Sequence, residues 1–255
     1  MANHQSHNAR AKTFRKPVVD GHGVHNAILL DLPAGEREAV FAKMEFVELP
    51  THTVLNEMAK PIKSVYFVDS GLASILNVLE GGKSVEVGLS GREGFVGLPL
   101  IVGFRSSPTR AVMQIGGTGF RVGAQELVDV LRECRQLEKS LHRYSQELAL
   151  QVTQVAACNR LHELEERLAR WLLMSQDRVD ASVFPLTQEF LAHMLGTRRA
   201  SVTVAAGILQ KAGLITYKRG EVTIKDRGEL ENAACECYGH LTRQLKSWRN
   251  NSHPM

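Results

Sequence analysis

Between Leu137 and Leu173 the chain contains neither proline nor glycine, and no other feature restricts its fold as much. Such a run has no place for a tight turn and reads as helix, because proline removes a ladder bond and glycine costs about 1 kcal/mol relative to alanine. Leu137, Leu141, Tyr144, Leu148, Val155 and Cys158 recur in it at three- and four-residue steps, interrupted at Gln151. That spacing is the seam of a helix that meets another helix. A 20-residue helix already spans about 30 Å, so the seam is expected to pair with its copy in a second chain, with Leu137, Leu141, Tyr144, Leu148 and Val155 at the dimer interface. Packing on the chain's own strands is the alternative. Beyond the seam, Leu161, Leu164, Leu168, Trp171 and Leu172 are expected to enter the core of the next domain. Glu163, Glu165 and Glu166 alternate with Arg160, Arg167 and Arg170, which reads as a solvated, salt-bridged face rather than paired catalytic carboxylates.

Ahead of this helix the pattern is quite different. From Phe46 to Val122 short apolar runs (Phe46 to Leu49, Val54 and Leu55, Val65 to Val68, Leu72 to Leu79, Ser84 to Leu89, Arg110 to Ile115, Gly119 to Val122) are separated by turn residues, many of them glycine. No helix-length segment lies between them, so a parallel α/β sheet is disfavoured and an antiparallel barrel or jelly roll is expected. Asn26 to Met44 reads as helical, split at Pro33. Residues up to about Gly23 are polar and read as a mobile tail; His4, His7, His22 and His25 match no metal-ligand spacing.

Behind the helix lies LTQEFLAHMLGTRRASVTVAAGILQKAGLITYKRGEVTIKD, Leu186 to Asp226. Thr187 is placed to cap a helix with Phe190, Leu191, Met194 and Leu195 on its apolar face, Gly196 supplies a turn, and Val202, Ala206 and Leu209 mark the inward face of a second helix. Arg198, Arg199, Ser201 and Thr203 are left facing outward. Two short helices joined in this way form a helix-turn-helix, whose second helix enters the DNA major groove. Two arginines in a first helical turn are unfavourable unless an anion is nearby. Leu214 to Tyr217 and Val222 to Ile224 then read as strands of a wing with Lys218, Arg219 and Gly220 at its tip, placed to meet a phosphate strand. The expected partner is double-stranded DNA. The competing reading is a ligand-binding module whose winged domain docks a partner protein.

The 255 residues are 44% hydrophobic and 23% charged, with a formal net charge of +4, so the chain reads as globular and only mildly basic. Cys134, Cys158, Cys235 and Cys237 form no evident disulfide framework and, with no signal core or apolar span, imply a cytoplasmic protein with no membrane partner. Glu229 to Trp248 reads as a terminal helix. The Cys235 and Cys237 pair is too small for a complete zinc site, so these thiols are expected to be buried or idle and no metal is assigned. No nucleotide loop, HExxH or GxSxG motif is present, which argues against an enzyme.

The order barrel, long helix, winged helix-turn-helix resembles the Crp/Fnr family of bacterial transcription regulators. The resemblance spans about Ala27 to Asp226 and is carried most specifically by VYFVDSGLASILNVLEGGKSVEVGLSGREGFVGLPL and LTQEFLAHMLGTRRASVT. It implies an α+β chain: a tail over residues 1–25, a cyclic-nucleotide-binding-like barrel over 26–130, a dimerisation helix and hinge over 131–174, and a winged domain with a terminal helix over 175–255. It also implies a homodimer on a palindromic operator, with RNA polymerase as a further partner. By position, Arg199 matches the base-reading arginine, while Thr187, Gln188, Arg198 and Ser201 match phosphate-contacting positions. Ala200 and Val204 stand where well-known members carry a glutamate and a second base-contacting arginine, so their operator does not transfer. In the barrel, Gly97, Leu98 and Pro99 and then Arg110, Ala111 and Val112 replace the stretches that hold a cyclic nucleotide. Arg110 remains to pair a phosphate, but without the glutamate the ribose hydroxyl has no acceptor, which disfavours that ligand. No cysteine precedes Cys134, which argues against an iron–sulfur cluster of the family's kind.

Overall fold

The computed structural model describes residues 17–179 and 181–250. Residues 1–16 of the expected tail, with His4 and His7, lie outside the described residues. The remainder of that tail is a correction: β1 (Val18–Val19) pairs with β2 (His22–Gly23), because Val19 and Val24 are buried in the barrel's core. His22 stacks on Phe46 with ring centroids 3.6 Å apart, and the Nδ1 of His25 lies 2.9 Å from Asp69 Oδ2. Then come α1 (Ala27–Leu30), capped by Asn26, and α2 (Ala34–Phe41), which starts directly after Pro33.

The barrel consists of β3 (Glu45–Leu49), β4 (Val54–Asn56), β5 (Ser64–Val68), β6 (Leu72–Val78), β7 (Ser84–Ser90), β8 (Phe95–Val96), β9 (Arg110–Ile115) and β10 (Gly117–Gly123). They form two antiparallel sheets in the orders β3-β10-β5-β8 and β4-β9-β6-β7. Leu49, Val68 and Val96 from one sheet share a core with Leu55, Ala73 and Met113 from the other, which is the expected jelly-roll layering. The strand β8 has no counterpart among the expected runs; at two residues it is too short to show an alternating pattern.

Three helices follow: α3 (Ala124–Glu133), α4 (Arg135–Leu161) and α5 (Leu164–Val179). The long run thus breaks without proline or glycine. His162 takes an extended conformation (φ −114°, ψ 151°), and the Glu163 amide donates to Glu166 Oε2 at 3.1 Å. That side-chain acceptor satisfies a first-turn amide of α5 and so lowers the cost of the break.

Most of the α4 seam is covered within the chain, which corrects the dimer-interface assignment for Leu137, Leu141, Tyr144 and Val155. Leu137, Leu141 and Tyr144 lie in one core with Phe67, Phe95 and Phe120, Val155 is also buried, and the Tyr144 hydroxyl donates to Ser90 Oγ at 2.8 Å. Leu148 is half-buried over β7, where a Cβ on Gly88 would come within 2.8 Å of Leu148 Cδ1. Glycine at 88 therefore lets the helix lie directly on the strand. Covering this face within the chain costs none of the rigid-body entropy that a second chain must give up. The face of α4 left exposed carries Lys139, His142, Gln146, Ala149, Thr153 and Ala156.

The C-terminal part contains β11 (Val183–Pro185), α6 (Gln188–Met194), α7 (Arg199–Lys211), β12 (Ile215–Lys218), β13 (Glu221–Ile224), α8 (Arg227–Ala233) and α9 (Cys237–Asn250), with the sheet order β11-β13-β12. The expected terminal helix is thus two helices, and α9 returns to pack on α4 and α5. Leu72, Leu76 and Leu89 of the barrel join Leu168, Trp171, Leu172, Val202 and Leu209 in a single core. Two residues depart from expectation. Leu161 is 74% exposed, at the end of α4, whereas Arg170 is only 3% exposed and lies inside the junction rather than on a solvated face. Among the described residues no helix is long and apolar enough to cross a membrane.

Candidate nucleic-acid interface

The two helices α6 and α7 are held together by their inward residues. Leu191, Met194 and Leu195 pack with Val202, Ala206 and Leu209, and Trp171 lies beneath Phe190 with ring centroids 6.4 Å apart. Thr187 caps α6 by accepting from the Phe190 amide at 3.2 Å, and Gly196 turns the chain at φ 61°. With its underside fixed in this way, α7 presents its other face to solvent. Arg198, at its N-cap position, makes no side-chain cap bond, and Arg198, Arg199 and Thr203 are exposed while Gln188 and Ser201 are partly so. The Thr203 hydroxyl bridges Gln188 Oε1 at 2.9 Å and the Arg199 carbonyl at 3.0 Å, tying the start of α6 to α7. Val204 and Ile208 are 64% and 47% exposed on the same face; in the sequence, Val204 stands out only as a departure from the family pattern. Exposed apolar side chains on a groove-reading helix can meet thymine methyl groups.

The wing turns at Arg219 (φ 53°) and Gly220 (φ 80°), the pair of positive φ values a two-residue hairpin needs to match strand twist. Lys218 and Arg219 are exposed there, next to exposed Thr187, and the Gly220 carbonyl accepts from the Leu186 amide at 2.7 Å. Wing tip and helix cap therefore lie together. Arg110, by contrast, is elsewhere: it begins β9 and ion-pairs with Glu57 at 3.6 Å, an internal partner that competes with any phosphate.

Two polar clusters join the winged part to the rest, and neither was visible as a site in the sequence. At the first, Glu86 of β7 accepts from Trp171 Nε1 at 2.7 Å and from Ser74 Oγ at 2.6 Å. Burial pushes its carboxyl up to about 7, opposed by those two hydrogen bonds and by Arg170 and Arg178. Arg178 in turn donates to Glu93 Oε1 at 2.8 Å and to Gln151 Oε1 at 2.9 Å, linking α5 to the barrel and to α4. The second cluster is Cys158, His162, Cys235 and Cys237, whose donor atoms all lie within 4.8 Å of one another. Cys235 and Cys237 are buried, as expected of them, but a further cysteine and a histidine stand beside them. The i, i+4 spacing of Cys158 and His162 at a helix end was the available signal.

Residues 166–233 match the family model of the Crp-like helix-turn-helix domain. No curated protein matches the chain in sequence. Among solved structures, the chain is similar to FixK2 from Bradyrhizobium japonicum, at 17% identity and a TM-score of 0.64, covering 75% of this chain and 98% of that one. It is similar to the c-di-GMP responsive global regulator CLP of Xanthomonas campestris, at 18% identity and a TM-score of 0.64, covering 76% and 100%. A transcriptional regulator of the CRP family from Thermus thermophilus matches at 18% identity and a TM-score of 0.60, covering 74% and 96%. At such identities the likeness is one of fold. Residues 166–233 thus match a Crp-like helix-turn-helix domain, and the chain as a whole shares the fold of these solved regulators.

Proposed function

We propose that the protein is a sequence-specific DNA-binding transcriptional regulator that acts as a homodimer on a two-fold operator, its barrel receiving the signal. The observation that carries this reading is the outward face of α7, where exposed Arg199, Thr203 and Val204 stand over an underside packed against α5 and α6. Arg199 is assigned the bidentate reading of a guanine, and Val204 contact with a thymine methyl. Thr187, Gln188, Arg198, Ser201, Lys218 and Arg219 are assigned to phosphates, where they fix register and carry no sequence information. The two copies meet through the exposed face of α4, along Lys139, His142, Gln146, Ala149, Thr153 and Ala156, and not through its buried seam. Two-fold binding places the paired recognition helices about 34 Å apart, one turn of duplex.

Selection of bound duplexes from a random pool tests the reading. A palindromic consensus whose half-sites are about one helical turn apart supports it, and recovery of no enriched sequence overturns it. Because Arg110 is already paired with Glu57, the signal is assigned to a ligand other than a cyclic nucleotide held by that arginine. Contact with RNA polymerase is the remaining partner assignment, and it rests on the family resemblance.

A further inference from the structure

The loop between α8 and α9 comes back across the molecule to the break between α4 and α5, and it brings two cysteines to meet a cysteine and a histidine. Cys158 lies in the last turn of α4 and His162 just past its end; Cys235 and Cys237 flank Glu236 at the start of α9. The Cys158 and Cys235 sulfurs are 3.4 Å apart, and Cys237 Sγ is 3.5 Å from His162 Nδ1. A tetrahedral zinc ion, with bonds of about 2.3 Å to sulfur and about 2.0 Å to nitrogen, sets its ligand atoms about 3.5 to 3.8 Å apart. With two pairs at 3.4 and 3.5 Å and all four donors within 4.8 Å of one another, shifts of at most about 1 Å close the set round one ion. They stand too close together to ring a four-iron cluster.

The groups behind the donors point the same way. His162 Nε2 is 3.0 Å from Glu236 Oε2, so the outer ring nitrogen carries the proton toward a carboxylate and Nδ1 is left with its lone pair toward the sulfurs. That carboxylate, histidine and metal order is how protein-bound histidines are fixed in tautomer and orientation. Gln154 Nε2 donates to Cys237 Sγ at 3.0 Å, a hydrogen bond from behind the donor set. Three thiolates and one neutral imidazole around a divalent ion leave one net negative charge. Arg170 is buried near them, with no hydrogen-bond partner at its Nε, and supplies the opposite charge.

We propose that Cys158, His162, Cys235 and Cys237 form a structural site for a single thiolate-preferring divalent ion, zinc by ligand type and geometry. The ion fastens the α8 to α9 loop onto the break between α4 and α5, and thereby fixes the winged domain to the central helix. The site stands independently of the DNA reading, since metal binding is measured on the full chain with no DNA present.

The test is titration of the chelator-stripped, reduced full-length chain with cobalt(II), followed by competition with zinc(II) and mass-spectrometric mapping of alkylated thiols. One cobalt per chain with the strong visible bands of tetrahedral thiolate coordination, displacement by zinc, protection of Cys158, Cys235 and Cys237, and a higher unfolding midpoint with zinc are expected. Cys158→Ser should lose the tetrahedral spectrum. Should that variant fail to fold, Glu236→Gln provides the second reading, since Glu236 is 77% exposed and its loss should weaken zinc binding about 10- to 100-fold. A weak octahedral cobalt spectrum, an unchanged spectrum in Cys158→Ser, no shift in unfolding midpoint, or a Cys158 to Cys235 disulfide in place of metal binding overturns the proposal.

Discussion

Helices α4 and α7 are both two-faced, yet the molecule uses their faces in opposite ways. In α7 the apolar side is consumed by α5 and α6 and the opposite side, with Arg198, Arg199 and Thr203, remains free. In α4 the apolar side is covered by the barrel over its first half and by α9 further along, with Leu148 half-buried, and what remains free is polar at one end and small at the other, with Ala149, Thr153 and Ala156. The lesson is that an apolar stripe reports that a face is covered and says nothing of which chain covers it. The side chains left for a partner sit on the other side of each helix. In α7 they carry concentrated charge with no internal partner fixed by capping, a costly arrangement in a first turn unless an anion arrives.

The sharpest way to break this comparison is Leu141→Ala. If the seam belongs to the chain's own core, the substitution should cost about 2 to 5 kcal/mol of stability, seen as a fall in the urea midpoint that is the same at every protein concentration. Loss of dimer with unchanged unfolding of the single chain would return the seam to the interface. Next in size is Arg199→Ala on the free face of α7. It should weaken binding to the best duplex by about 1 to 3 kcal/mol and relax one base position, with the melting temperature unchanged. Equal weakening across all duplexes would reassign Arg199 to a phosphate.

A smaller effect probes the junction that holds the two helices in register. The buried Glu86 carboxyl keeps its proton up to about pH 7, whereas the exposed group releases it near 4.5. The folded chain therefore binds more protons than the unfolded chain between those values, and this contribution to stability, complete below about 4.5, is lost as the pH rises toward 7. Glu86→Gln, which still offers an oxygen to Trp171, should flatten that part of the pH profile in thermal unfolding; an unaltered slope would place the titration elsewhere. The smallest effect is expected at the wing. Lys218→Ala or Arg219→Ala should weaken all sequences alike and lower the salt slope by about 1, which a gel shift at several salt concentrations can read.

Much of this arrangement was legible in the residues. Glycine-punctuated runs from Phe46 to Val122 announced the layered sheets, and Thr187, Gly196, Val202 and Leu209 announced the paired short helices, because capping, turn and periodicity signals act over a few residues. What was not legible lies between distant segments. Glu86 and Trp171 stand 85 residues apart, Cys158 and Cys235 77 apart, and no local pattern links either pair. Arg170 alternates with glutamates as a solvated residue would, whereas burial of the junction takes it inside.

The order of residues by itself therefore determined the element types, the layered barrel and the outward arginines of α7, all properties of periods, caps and turns. Only the tertiary structure decided who covers α4, where the long helical run breaks, and that four metal-ligand side chains meet at that break. Those outcomes depend on which apolar and polar surfaces find one another when the whole chain closes, and covering a face within one molecule spares the entropy of bringing in a second.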